Sequence, residues 1–392
     1  MKIDDKTSHN SPSLRFPEFT GEWEKCVLGD YGKVVTGNTP PTKDIENYEN
    51  GTYLWASPAD LGTHKLISET KTKLSSKGFT KTRPLSKGSV LVTCIGSTIG
   101  KTGMATREMS TNQQINSIVV NENNDNEFVY YVVQSAFPHY LSSIAVQAVP
   151  IISKSSFELL PSKRPSLQEQ NKIGKFLSLL DERISTQHRL IEDLKKLRCA
   201  IVEKMFKQSK ANGRLGDFIE QVSVRNKNGL YSNVLSVSNK QGFVKQSEQF
   251  EDRTVASEDT SNYKIVKRNN FAYNPARINV GSIARLTKFD VGIVSPMYVC
   301  FRTKASIIPE YMEAFFTSQQ FFYEMMKRLE GSVRLCLSYE GLCNIPVYIP
   351  DMNKQIAMGQ NISLILSKIG LEIEYLGRLH QQKQYLLRKM FI

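Results

Sequence analysis

The sequence holds no constellation of catalytic residues. Its six cysteines, at 26, 94, 199, 300, 336 and 343, form no C-x-x-C pair and have no histidine pair nearby, which argues against zinc and for a reducing cytoplasm. The start, MKIDDKTSHNSPSLRF, lacks the apolar run of a signal peptide, and nowhere do about 18 apolar residues stand together, so a soluble cytoplasmic protein without a membrane span is expected. The histidines (His9, His64, His139, His188 and His380) are isolated, and no nucleophile, base and orienting carboxylate come together in sequence. No metal site and no cofactor site are expected in this chain.

Three motifs have the outline of chemistry and lack its substance. GSTIGKT at 96–102 puts only Ser97, Thr98 and Ile99 between its glycines, where a phosphate loop needs four residues, and the following NQQINSIVV reads as loop and strand rather than the required helix. YNPAR at 273–277 resembles the Asn-Pro-Pro-aromatic motif that holds a flipped adenine, but Ala276 and Arg277 replace the second proline and the aromatic. Asp60 with Glu69-Thr70-Lys71 sketches a metal nuclease, a pattern that arises easily in a chain rich in Lys and Glu.

What is present is positive charge and a repeat. The net charge of +13 makes an anionic partner, nucleic acid above all, an expectation, although solubility alone can explain such an excess. With 392 residues there is room for two or three domains. The stretch from Pro165 to Phe206 aligns without a gap on Pro350 to Phe391: Gln170 matches Gln355, Gly174 matches Gly359, Leu194 matches Leu379, and both copies finish on Lys-Met-Phe. Leu28-Gly29-Asp30-Tyr31 and Leu215-Gly216-Asp217-Phe218 open the two halves, and each half carries a glycine turn followed by an apolar strand, Ile115 to Val120 or Met297 to Phe301. The plan is an N-terminal segment (1–20), a globular domain (21–164), a helix (165–206), a polar linker (207–213), a second globular domain (214–349) and a second helix (350–392). Helical stretches are expected at Glu127 to Ser142 and Pro309 to Leu329 within the domains.

In the first long helix, Ile173, Leu180, Gln187, Leu194 and Ile201 stand seven apart, with Leu177, Ile184, Ile191, Arg198 and Met205 as a second row. The second helix repeats this with Met358, Ile365, Glu372, Leu379 and Leu386, and with Ile362, Ile369, Leu376, Lys383 and Met390. Rows held over about five heptads signal a coiled coil, whose seam is expected at Leu180, Ile184, Gln187, Ile191, Leu194, Ile365, Ile369, Glu372, Leu376 and Leu379. A parallel pair would set Arg198 beside Lys383, whereas an antiparallel pair sends these cations to opposite ends, so antiparallel is expected. Packing of both helices into a common core is the simpler alternative. An antiparallel pair also brings Phe391 near Leu28-Gly29-Asp30, because Phe206 runs directly toward Leu215-Gly216-Asp217.

Without an active site, a binding surface remains. Lys101, Gln113, Gln114, Asn116 and Lys154 lie in loop-rich parts of the first half, and Arg277, Asn279, Arg285 and Arg334 in the second. Arg can grip guanine O6 and N7, Asn or Gln can grip adenine N6 and N7, and Lys can hold phosphate. Any one of them taken alone reads more simply as a solvated loop residue.

The ordered duplicate, the opening LRFPEFTGEWEKCVLGD, the stretch CIGSTIGKTGMATREMSTNQQINSI and the P-x-x-x-Q-x-x-I/M-G helix starts together resemble the specificity subunit of type I restriction-modification systems. The resemblance implies an α+β fold in which two mixed α/β target recognition domains are joined by two long antiparallel coiled-coil helices. It implies that each domain reads one part of a split site in double-stranded DNA, and that the helices dock two modification subunits. Those partners bring S-adenosylmethionine, and a restriction subunit brings ATP and Mg. Two domains about one turn of B-DNA apart, each reading roughly three to five bases, would leave about six or seven bases unread. Two other readings stand beside this one: a methyltransferase or nuclease in its own right, and a coiled-coil interaction protein without a DNA role.

Overall fold

The computed structural model describes residues 10–143, 151–207, 210–239, 241–249, 259–332 and 334–392. The chain divides into two compact units, Met1–Gln187 with Tyr375–Ile392, and His188–Glu374. The division falls in the middle of both long helices, Leu167–Lys207 and Met352–Met390, so each unit owns one globular domain and half of each helix.

The first domain is built on a five-stranded sheet in the order Gly32–Thr36, Ile115–Val120, Val90–Thr93, Thr102–Ala105, Leu66–Ile67, with a three-stranded sheet of Thr72–Leu74, Tyr53–Ala56 and Met109–Thr111. Val90–Thr93 is buried on both faces, which is why it reads as an unbroken apolar run rather than an alternation. The second domain has two four-stranded sheets, one ordered Ile219–Gln221, Val299–Thr303, Phe271–Tyr273, Ile283–Arg285 and the other Gly242–Lys245, Val234–Ser238, Val291–Val294, Lys264–Lys267. The fold is α+β throughout.

The repeat is visible bond by bond. Leu28 N–H donates to the Leu160 carbonyl at 3.0 Å, and Leu215 N–H to the Ile345 carbonyl at 2.9 Å. Gln170 accepts from Asp125 N–H at 3.1 Å and donates to the Pro165 carbonyl at 3.1 Å; Gln355 accepts from Ile308 N–H at 3.0 Å and donates to the Pro350 carbonyl at 3.0 Å. Both glutamines are 1 % exposed, and each clamps its long helix to the start of a helix in its own domain. One turn later a glycine lets the two elements touch. A Cβ at Gly174 would lie 2.9 Å from Phe128 N, and one at Gly359 would lie 2.9 Å from Glu310 Cβ.

Within each unit the helix halves run antiparallel. In the first, Glu169 near the start of one helix holds Arg15, whose neighbour Leu14 donates to the Lys389 carbonyl at the end of the other at 2.9 Å. Further in, Lys383 Nζ meets Asp181 at 2.7 Å, and the Tyr131 hydroxyl donates to the same carboxylate at 2.7 Å. Burial, and then the Asp181 charge, push the Tyr131 phenol well above its ordinary range, so it remains a donor. In the second unit Arg198 and Leu366, which the repeat matches to Lys383 and Asp181, line one small cleft. The two cations therefore occupy different units.

Leu180, Ile184, Gln187, Ile191, Ile369, Glu372 and Leu379 are buried, whereas Leu194, Ile365 and Leu376 are half-buried. Toward the helix ends the buried stripe drifts by one residue. Val202 and Phe206 are 2 % and 1 % exposed where the heptad rows put Ile201 and Met205, and Leu387 joins Leu386 at 4 %. There the helix docks on a globular domain instead of following a supercoil, and 3.6 residues per turn outruns the 3.5 repeat.

The Lys-Met-Phe endings find the same use twice. Phe391 packs on Trp23 and Phe128 with ring centroids 6.2 and 5.5 Å apart, in a core that includes Leu28. Phe206 packs on Tyr311 and Phe315 at 5.3 and 5.2 Å, in a core that includes Leu215.

Some expected elements are differently divided. The expected helix from Pro309 to Leu329 is two, Pro309–Phe316 and Gln319–Met326, because the Ser318 side chain accepts from Phe321 N–H at 3.1 Å and caps a new start. The strand expected from Met297 begins at Val299, since Tyr298 N–H closes a turn onto the Ser295 carbonyl at 3.1 Å. Gly213, placed in the linker, pairs with Val347 in a short strand. Among the described residues, no helix is long and apolar enough to cross a membrane.

Candidate nucleic-acid interface

In the second domain, strand Phe271–Tyr273 runs into a tight loop that ends at Gly281, whose φ of +91° suits glycine. Ile278, 2 % exposed, anchors this loop to the core, and the residues on either side of it, Arg277 and Asn279, face a cleft. Leu337 N–H donates to the Pro275 carbonyl at 3.1 Å, which brings the distant segment carrying Arg334 to the same place. The cleft has a volume of about 760 Å³, and Tyr298 and Met297 form part of its wall. Among the described residues no carboxylate lines it, so the two guanidiniums have no counter-charge there.

Arg285 is elsewhere. Its side chain is 10 % exposed and bound to Glu313 at 2.9 Å and to Glu310, which leaves it inside the domain rather than on the loops. Burial raises the Glu313 carboxyl above its ordinary value, and the Arg285 charge pulls it back. Arg285 thus serves as the counter-ion of two half-buried acids.

The first domain gathers its loops around Cys94. Cys94 N–H donates to the Gln114 carbonyl at 2.8 Å, and Ile152 N–H to the Cys94 carbonyl at 2.8 Å, the counterpart of the Leu337 contact. These bonds bring the loops bearing Gln113 and Gln114, Lys101 and Lys154 to one end of the domain. Lys101 and Gln113 are exposed, Gln114 is half-buried and Lys154 is half exposed at 3.5 Å from Glu158. Gln113 accepts from the Thr39 hydroxyl at 2.5 Å, so the long loop after Thr36 joins this end. Asn116 does not: it is 3 % exposed and accepts from Thr36 at 2.7 Å inside the sheet.

The remaining motifs are local structure. GSTIGKT is a turn between two strands, with Gly100 N–H on the Thr93 carbonyl at 2.9 Å. The Asp60 carboxylate accepts from Ser57 N–H at 2.9 Å and from Lys71 N–H at 2.9 Å and holds a loop closed. Asn274 of YNPAR is buried and accepts from Ala276 N–H at 3.0 Å.

Residues 20–196 match the family model of the type I restriction modification DNA specificity domain. Over these residues the chain is similar to that family's specificity domain. The structural repeat extends the same design over the second half. Among curated relatives, the type I restriction enzyme MjaIX specificity subunit of Methanocaldococcus jannaschii is 28% identical over 47% of this chain and 44% of its own length. The HindI specificity subunit of Haemophilus influenzae is 31% identical over 31% of this chain and 27% of its own. The chain thus spans less than half the length of these relatives in the matched regions. A type I restriction-modification system S subunit from M. genitalium shares the fold, with a TM-score of 0.61 over 97% of this chain and 99% of that one at 18% identity.

Proposed function

We propose that this chain is a specificity subunit that reads a split site in double-stranded DNA, one part with the loop end of each domain, and is not itself catalytic. The observation that carries the reading is the convergence of Arg277, Asn279 and Arg334 from separated segments on one cleft whose described lining holds no acidic residue. Guanidiniums with no counter-charge suit guanine edges and phosphates. Lys101, Gln113, Gln114 and Lys154 supply the comparable end of the first domain. The long helices dock two modification subunits, which bind S-adenosylmethionine, while restriction subunits bind ATP and Mg. The naming of relatives as specificity subunits and the basic net charge of +13 support this reading.

Binding of the full chain to duplex DNA, measured against salt concentration, tests it. Affinity should fall steeply with salt, and replacing Arg277 and Arg334 together by alanine should flatten the slope by about one for each phosphate that is no longer neutralised. Salt-independent binding, or methyl transfer or cleavage by the chain alone, would contradict the proposal.

A further inference from the structure

We propose that Met297, with Leu335 in the same cleft wall, is a further specificity-determining residue of the second domain and packs on the C5 methyl group of a thymine in its part-site; this rests on the DNA-reading role proposed above. Both side chains line the cleft of Arg277, Asn279 and Arg334, and both open onto solvent, Met297 at 57 % exposure and Leu335 at 47 %. Exposed apolar side chains scattered singly call for no explanation, but these two share one cleft with two guanidiniums and no described acid. The guanidiniums suit an anionic macromolecule, and the apolar pair suits an apolar group that it carries.

The residue next to Met297 fixes its place. Tyr298 donates its N–H to the Ser295 carbonyl at 3.1 Å, its hydroxyl accepts from Val237 N–H at 3.3 Å, and its carbonyl accepts from Lys264 Nζ at 2.7 Å. The turn so held joins strand Val291–Val294, which pairs parallel with Val234–Ser238, to strand Val299–Thr303. In the first domain strand Met109–Thr111, parallel to Tyr53–Ala56, runs through residues 112–114 into Ile115–Val120, and Ile115 N–H closes that turn onto the Asn112 carbonyl at 3.2 Å. Equivalent turns thus carry Gln113 and Gln114 in one domain and Pro296 and Met297 in the other, amides suited to adenine against an apolar chain that is not.

A duplex offers an apolar group that depends on sequence at one place. Phosphates and sugars recur at every step, and the base edges in the major groove are polar except for the thymine C5 methyl. Guanine O6 and N7 match the donors of Arg277 and Arg334 in the same cleft. Methionine, unbranched and with three rotatable bonds, can follow the methyl without any demand on hydrogen-bond geometry.

The test uses the full chain in complex with its modification subunit. Methylation mapping gives the motif, and exchange of residues 214–349 for those of a relative identifies the part that the second domain reads. A thymine pairs with every methylated adenine, so its presence there decides nothing; its methyl group does. Duplexes are therefore compared in which each thymine of that part, on either strand, is replaced in turn by deoxyuridine, which keeps the pairing and the O4 acceptor and removes the methyl. At one thymine the replacement should weaken binding by the wild type about four-fold, the worth of one buried methyl. Met297→Ala should bind that pair of duplexes equally, with its melting temperature and the salt dependence of binding unchanged, because the side chain is exposed and uncharged. Met297→Leu should keep the discrimination, and Met297→Gln, of similar length but polar, should lose it. Should alanine abolish binding, the last two decide: loss in the glutamine variant alone supports the proposal, and equal discrimination by both refutes it. Uracil without effect at every thymine, or an effect that persists in Met297→Ala, overturns the role of Met297 while DNA reading stands. Variants that shed the modification subunit with thymine discrimination intact mark the cleft as a protein contact and overturn it too. Absence of any motif with the wild type overturns DNA reading and this inference with it.

Discussion

Arg277 and Arg285 belong to the same strand-turn-strand segment, and nothing in their immediate sequence separates them. The difference comes from Glu310 and Glu313, which reach Arg285 from a helix later in the chain, whereas among the described residues no acid lines the cleft of Arg277. Residue type and loop position could therefore not tell Arg277, Asn279 and Arg334, which line one cleft, from Arg285, which is paired inside the domain, or from Asn116, whose burial depends on a strand pairing with Thr36. Arg277→Ala should leave the melting temperature in place and cost about 1–3 kcal/mol of binding at a single base position. Arg285→Ala should do the reverse, lowering stability by about 1 kcal/mol because the ion pairs with the half-buried Glu310 and Glu313 are lost; paired melting and binding curves check both. Cysteine reactivity tests the cores independently. Burial pushes the Cys94 and Cys300 thiols up to about 12, whereas Cys199 is exposed. Alkylation of the native protein at about pH 8 should modify Cys199 and spare Cys94 and Cys300 until denaturant is added.

At the scale of the element, the long helices were the most legible part of the sequence, because heptad rows and a gapless repeat are local signals. The antiparallel sense followed from two cations, Arg198 and Lys383, that a parallel seam would have brought together. What the rows could not show is where the helix stops facing a helix and starts facing a domain, and there the buried stripe moves to Val202, Phe206 and Leu387. The break at Ser318 escaped for a related reason: an apolar run on both sides hides a cap that only competes locally. Burial now separates two positions that the repeat makes equivalent. Leu379→Asp, at a side chain 3 % exposed, should destabilise by about 4 kcal/mol or more, and Leu194→Asp, at a half-buried one, by about 1–2 kcal/mol. Urea unfolding of the two variants measures the difference; equal losses would mean that the seam does not run as described.

For the molecule as a whole, the internal repeat carried the architecture and the missing catalytic motifs carried the expectation of a binding subunit. The composition could give neither the shape of the clefts nor the gathering of loops at Cys94 and Pro275, since those depend on bonds between segments far apart in sequence. The two domains share a plan and differ in their loops, so each should bring its own specificity. Replacing residues 21–164 with the corresponding domain of a relative should change one part of the recognised site and leave the other intact. The most direct test of the central claim is to co-express the chain with its modification subunit and map methylated adenines across the genome, before and after that exchange. The account predicts a motif of two specified blocks separated by a fixed gap of unread bases, with one block alone replaced in the exchanged protein; a continuous motif, or an exchange that alters both blocks together, would contradict it.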